Sequence, residues 1–245
     1  MLLNLLNSGL SPSEMVFRGI AIILILAYSL SIHEFMHGYS AYRLGDDTAK
    51  LQGRLTMNPL AHLDPMGAIM LLVVGFGWAK PTPVNYGKLT RFKDRNISIR
   101  IVSLAGVTAN FLSAFIAYFL IAVTTIIFYK TGLYLKSDSA FEVFKIIITL
   151  LGLLGYFNLL LMAFNLLPFP PLDGYHVLET FIPYKYKIKF QQYERFFSMA
   201  FLALIVFGMF SGNSPLFWLI EKIMFPFKYI ITTPLNSLVD LFINI

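Results

Sequence analysis

Long apolar runs separated by shorter polar ones set the frame of this 245-residue chain. Four runs read as long and apolar enough to cross a bilayer, for which a helix needs roughly 20 residues, the last of them being short. They are Met15 to Leu30 with a helical continuation to about Leu44, Ile101 to Phe128, Ile146 to Leu167, and Phe196 to about Phe210. A shorter apolar stretch, Met66 to Ala79, overlaps a glycine- and proline-rich segment from Gly75 to Asn85 that no regular helix would hold. Irregular backbone at membrane depth is tolerated only against protein or a water-filled cavity. This stretch is therefore predicted to be re-entrant, with extended pieces whose edge can pair with a strand. Ser211 to Pro215 reads as a break. Beyond it the chain carries Glu221, Lys222, Lys228 and Asp240, with Pro226 and Pro234 interrupting, which predicts an interfacial segment rather than a further span. The pattern as a whole predicts an all-α membrane protein: a polytopic transmembrane helix bundle with a short membrane-associated β or re-entrant segment. One domain is expected over residues 1–245, with a core at 15–210 and a C-terminal interfacial segment at 211–245.

Composition supports the membrane reading. Hydrophobic residues make up 57% and charged residues 13%, against about a quarter charged in soluble domains. The net charge of +6 sits in loops beside apolar runs, where anionic lipid and topology account for it without nucleic acid. Nine of the 19 Lys and Arg fall between Arg43 and Arg100 and four more between Pro170 and Arg195. Basic loops stay in the cytoplasm, so the first apolar helix is expected to run inward and to end on the cytoplasmic side. The N-terminus to Glu14 has neither a basic n-region nor a small-residue cleavage pattern, and no removable signal peptide is expected. Zero cysteines exclude disulfides and thiolate ligands, leaving His and carboxylate for any metal site.

The chemistry concentrates in Ser31 to His37, an HExxH motif at the end of the first run. A helix turns about 100° per residue, so His33 and His37 share one face and both imidazoles can reach one metal ion, with Glu34 beside them. Polar residues at the end of an apolar helix also serve as interfacial anchors. Three such side chains within one membrane turn are costly without partners, however, and point to function. A third ligand is sought among carboxylates. The third run ends in Asn165 to Gly174, where Pro168, Pro170 and Pro171 must stop the helix near Leu167 and Asp173 follows directly. Asp173 either supplies the ligand or, being followed by Gly174, forms a turn; Asp64 is its rival.

On these residues the chain resembles the site-2 protease family of intramembrane zinc metalloproteases, in particular its small members without PDZ or CBS domains. The matching stretches are His33 to His37, Asn58 to Pro65 with Gly77 to Pro81, Ser103 to Gly106 with Asn110, and Asn165 to Gly174. The resemblance implies one Zn2+ per chain held by His33, His37 and Asp173, with Glu34 activating the water. It implies that Asn165 lies close to the site and contacts substrate backbone or oxyanion. Asn110 is either a similar contact or an interhelical hydrogen bond, and His62 either supports the ligands from behind or fixes a loop. His176 is read as interfacial. The family's usual glycine-proline pair is Gly106 Val107 here, which predicts a straighter helix at that point.

The function so implied is hydrolysis of peptide bonds of transmembrane protein substrates within or near the bilayer, as in regulated intramembrane proteolysis. The expected setting is a bacterial or archaeal cell membrane, with the active site opening toward the cytoplasm and the lipid bilayer and a transmembrane protein or peptide as partners. A metal transporter or metal-binding scaffold is the alternative. Transport would need a path of further ligands, which four histidines and no cysteine do not supply, and a silent scaffold would be expected to lose Glu34.

Overall fold

The computed structural model describes residues 11–73, 77–133, 137–211 and 215–243. The chain divides into two units, Met1–Gly106 and Val107–Ile245. The first unit opens with α1 (Pro12–Arg43), followed by three short helices, α2 (Thr48–Leu51), α3 (Pro59–His62) and α4 (Pro65–Val73). A single 3-10 turn, Tyr86–Lys88, then leads to α5 (Arg95–Lys130), which continues past Gly106 into the second unit. The second unit continues with α6 (Asp138–Asn165), α7 (Asp173–Glu179), α8 (Tyr184–Ser211) and α9 (Pro215–Ile243).

The start of α1 is set by its sequence. The Ser11 hydroxyl accepts from the Glu14 amide, the Glu14 carboxylate accepts from the Ser11 amide, and Pro12 occupies the first turn, where no N–H is needed. At 32 residues the helix is about 48 Å long, more than the ~30 Å hydrocarbon core requires. Its buried stripe runs Ile22, Leu26, Ser29, His33, His37 and Ala41, a helical repeat that carries both motif histidines into the protein. Val16, Ile20 and Leu24 remain exposed, as suits a face turned to lipid.

Among the described residues three helices are long and apolar enough to cross a membrane: α1, α5 and α6. The fourth predicted run, Phe196 to Phe210, forms the C-terminal half of α8 and is not among them. Lys185, Lys187, Glu194 and Arg195 charge the other half of that helix, leaving a shorter apolar run than a span requires.

Two expectations are corrected. The predicted β piece reduces, among the described residues, to one isolated antiparallel bridge between Leu63 and Ala79, flanked by a bond from the Lys80 amide to the His62 carbonyl oxygen (2.8 Å); no strand forms. Pro81 and Pro83 lack the N–H that a ladder would need next. The Gly75 and Phe76 part of the prediction lies outside the described residues. The second correction is at the C-terminus, where Pro226 and Pro234 do not interrupt α9. Each proline removes one backbone bond, whereas a helix broken in apolar surroundings would leave several polar groups unpaired at several kcal/mol each. The continuous helix buries Leu216, Ile220, Met224 and Ile231 and packs along α6.

Candidate metal centre

In the first unit His33 and His37 are 5% and 8% exposed, and their Nε2 atoms lie 3.0 Å apart. Two nitrogens each 2.0–2.1 Å from one tetrahedral zinc are separated by roughly 3.3 Å, so this pair fits the metal with little adjustment. The His37 Nδ1 donates to the Val102 carbonyl oxygen at 2.7 Å. A carbonyl only accepts, so the proton resides on Nδ1 and the Nε2 lone pair faces His33, the tautomer that a metal ligand requires. Gly106 closes the cradle from α5. A Cβ there would sit 2.5 Å from His37 Nε2 and 2.7 Å from the His33 ring, so any other side chain would enter the space of the imidazoles. Gly106 Val107 therefore keeps the glycine of the family pair where close approach demands it. The helix runs unbroken through the position where the proline is missing.

Glu34 is held by a different segment. Its Oε2 accepts from the Thr82 amide at 2.6 Å, and the Thr82 hydroxyl donates back to the Glu34 carbonyl oxygen at 3.0 Å. The segment carrying Thr82 is itself anchored by the buried Arg54, whose Nη2 donates to the Lys80 and Pro81 carbonyl oxygens at 2.6 and 3.2 Å. Farther along, the fully buried Asp46 accepts from the Thr48 amide and hydroxyl and, at 2.6 Å, from the Asn85 amide. Thr82, Arg54 and Asp46 were not singled out from the sequence. The local signal for Thr82 was its place between two prolines, which leaves it the sole amide at positions 81–83.

Other predicted residues acquire definite partners. The His62 Nε2 lies 2.8 Å from the Thr56 carbonyl oxygen, a loop-fixing bond. Asp64 accepts from the Gly67 amide at 2.7 Å and so caps α4, a role that weakens it as a metal-ligand candidate. In the second unit the fully buried Asn110 donates to the Asn158 side-chain oxygen at 2.9 Å, joining α5 to α6. Asn158, which the sequence reading did not select, donates in turn to the Leu154 carbonyl oxygen at 2.9 Å. Asn165 ends α6 with its amide donated back to the Leu161 carbonyl oxygen at 2.9 Å. The helix stops there as the prolines predict, and turns lead to Asp173, the first residue of α7. Gly174 lies so tightly against the Leu166 and Leu167 carbonyls that no Cβ would fit, and the Asp173 Oδ2 is buried. His176 lies 4.0 Å from the Glu179 carboxylate near the end of α7.

Comparison with known proteins gives the same direction. The family model described as Peptidase family M50 matches residues 21–208. YwhC of Bacillus subtilis (strain 168), named as a zinc metalloprotease, is 42% identical over 188 residues, 76% of this chain and 80% of that protein. Rip2 of Mycolicibacterium smegmatis, also named as a zinc metalloprotease, is 36% identical over 168 residues, 66% of this chain and 58% of that protein. Rip2 of Mycobacterium tuberculosis is 30% identical over 177 residues, 70% of this chain and 62% of that protein. No solved structure matches. The family model and YwhC each cover most of the chain, and with three membrane-compatible helices and the HExxH pair in place, this membrane protein belongs to peptidase family M50, the site-2 protease family of metalloproteases.

Proposed function

We propose that the chain is an intramembrane zinc metalloprotease that hydrolyses peptide bonds of transmembrane proteins within or near the bilayer, in regulated proteolysis at a cell membrane. The observation that carries this reading is the buried Nε2 pair of His33 and His37 in the Gly106 cradle, with the Glu34 carboxylate one residue away and anchored. His33, His37 and Asp173 hold one zinc ion. Asp173 is favoured over Asp64 because Asp64 already caps α4, whereas Asp173 follows the proline break with a buried carboxylate oxygen. Zinc bound there supplies Lewis acidity and brings the pKa of its water to about 7.

The protein's own groups do the rest. Glu34 takes a proton from the attacking water and returns it to the leaving amine. Asn165, beside the helix break, contacts the substrate backbone or the developing oxyanion. Asn110 is engaged with Asn158 and His62 with the Thr56 carbonyl oxygen, which favours a structural role for each. A helical substrate hides its carbonyls in i to i−4 bonds and must unwind before attack. The basic loops favour an opening of the site toward the cytoplasmic side.

Glu34→Gln is expected to retain zinc by elemental analysis and to lose cleavage of a single-span substrate; retained turnover would remove Glu34 from the chemistry. Asp173→Ala is expected to lower zinc content, and an unchanged content would move the third ligand elsewhere. A metal transporter would show Glu34-independent zinc flux into proteoliposomes, which this reading does not expect.

A further inference from the structure

The geometry points to Thr82 as the positioning residue of Glu34, a latch through which the segment at 79–85 sets the aim of the general base; this rests on Glu34 being that base. Residues flanked by proline are steered to extended backbone, and prolines have no amide. In Pro81 Thr82 Pro83 that leaves one N–H, and it is directed at Glu34 Oε2 at 2.6 Å. The partner bond runs in the opposite sense, from the Thr82 hydroxyl to the Glu34 main chain at 3.0 Å, so side chain and backbone of the glutamate are gripped by one residue. Thr82 is 9% exposed, and its methyl group abuts the face of α1 at Gly38, where a Cβ would lie 3.1 Å from it. Arg54 keeps the preceding carbonyls in place through its own two hydrogen bonds.

A glutamate otherwise has three side-chain torsions to restrict, and a base whose carboxylate wanders by about 1 Å can lose up to 10²-fold in rate. Fixing one carboxylate oxygen leaves the other for the proton. The latch also makes the base sensitive to whatever displaces or straightens the segment at 79–85. Thr82 touches no reacting atom; it acts through Glu34.

Two measurements on the full-length protein in detergent micelles test this. Hydrogen exchange of the fragment covering residues 79–85 reads few amides, because prolines fill two positions. Glu34→Ala should accelerate exchange at the Thr82 amide by about tenfold or more while the Lys80 amide, bonded to His62, stays as in the wild type. Unchanged exchange at Thr82 overturns the contact itself.

The second measurement uses a fluorogenic single-span peptide that the wild type cleaves. Thr82→Val should lower kcat about 10- to 100-fold, with KM within about twofold and zinc content unchanged, and Thr82→Ser should recover most of the rate. In a Glu34→Gln background Thr82→Val should have no further effect, since both changes act through one group. A wild-type kcat in Thr82→Val overturns the proposal. So does a loss that tracks zinc content or KM, or one of equal size in the Glu34→Gln background. If Glu34→Gln alone cleaves at the wild-type rate, the base assignment fails and the positioning role with it, while the exchange result separates that failure from absence of the contact.

Discussion

The two units stabilise their backbones in opposite ways. In Met1–Gly106 the chain between α1 and α5 is mostly short helices and turns, and buried polar side chains hold it: Asp46 on the Asn85 amide, Arg54 on the Lys80 and Pro81 carbonyls, His62 on the Thr56 carbonyl, Thr82 on Glu34. In Val107–Ile245 long helices satisfy their own backbone, and aromatic and aliphatic contacts such as Phe128–Phe144 and Phe164–Phe201 dominate. Polar groups cross between helices there at Asn110–Asn158. Irregular backbone brings amides and carbonyls to chosen points around a reactive side chain, which a regular helix cannot do. Each such point then needs a buried partner, because an orphaned polar group in apolar surroundings is expensive.

The sharpest way to break this contrast is Asp46→Ala. It strips acceptors from the Thr48 and Asn85 amides and is expected to cost about 3 kcal/mol, read as a lower unfolding midpoint and early proteolytic nicking at residues 77–91. A loss below about 0.5 kcal/mol would mean that the polar anchors do not hold the first unit together. Gly106→Ala comes next. With a Cβ 2.5 Å from His37 Nε2, zinc affinity should fall about 10- to 100-fold while far-ultraviolet circular dichroism stays unchanged. Wild-type zinc content in this variant would show that the cradle is looser than the structure has it.

In the second unit Asn110→Leu or Asn158→Leu should each cost about 0.6–1.7 kcal/mol, the range found for interhelical hydrogen bonds in membranes. The double variant should cost less than the sum, since neither amide is then left facing an apolar partner. Additive losses would argue against the pairing.

The smallest effect belongs to the exposed Lys88–Asp47 ion pair at 2.7 Å. The hydrogen bond from the Lys88 ammonium holds the Asp47 carboxyl below its usual value of 3.8, and the same bond raises Lys88 above 10.5. The carboxylate's contribution is therefore present above pH 3.8 and lost as pH falls through the lowered value. The ammonium's is present below pH 10.5 and lost as pH rises through the raised one. At neutral pH Lys88→Met should leave the unfolding midpoint within error, because water and salt screen exposed pairs.

The large features were legible because they follow from local rules. An uncharged run long enough to span a bilayer, two histidines at i and i+4, and a proline cluster that ends a helix each act within a few residues, so α1, α5, the end of α6 at Asn165 and the His33–His37 face were readable in advance. The expectation of broken helix at Pro226 and Pro234 failed because a local penalty is outweighed by neighbours that local reading does not see. Thr82, Arg54, Asp46 and Asn158 went unread for the same reason: each acquires its role from a partner on another element or in the packed interior.

What the sequence alone determined is the kind of protein and the pair of histidines on which its candidate chemistry centres, since hydropathy and the period of a helix fix which residues meet lipid and which two imidazoles share a face. The tertiary structure decided how these groups are held. The proton on His37 is placed by the Val102 carbonyl, the space for two imidazoles is left by Gly106, and the carboxylate of Glu34 is aimed by an amide 48 residues away. Hydrogen bonds select their partners by distance and direction in space, and no spacing along the chain encodes either.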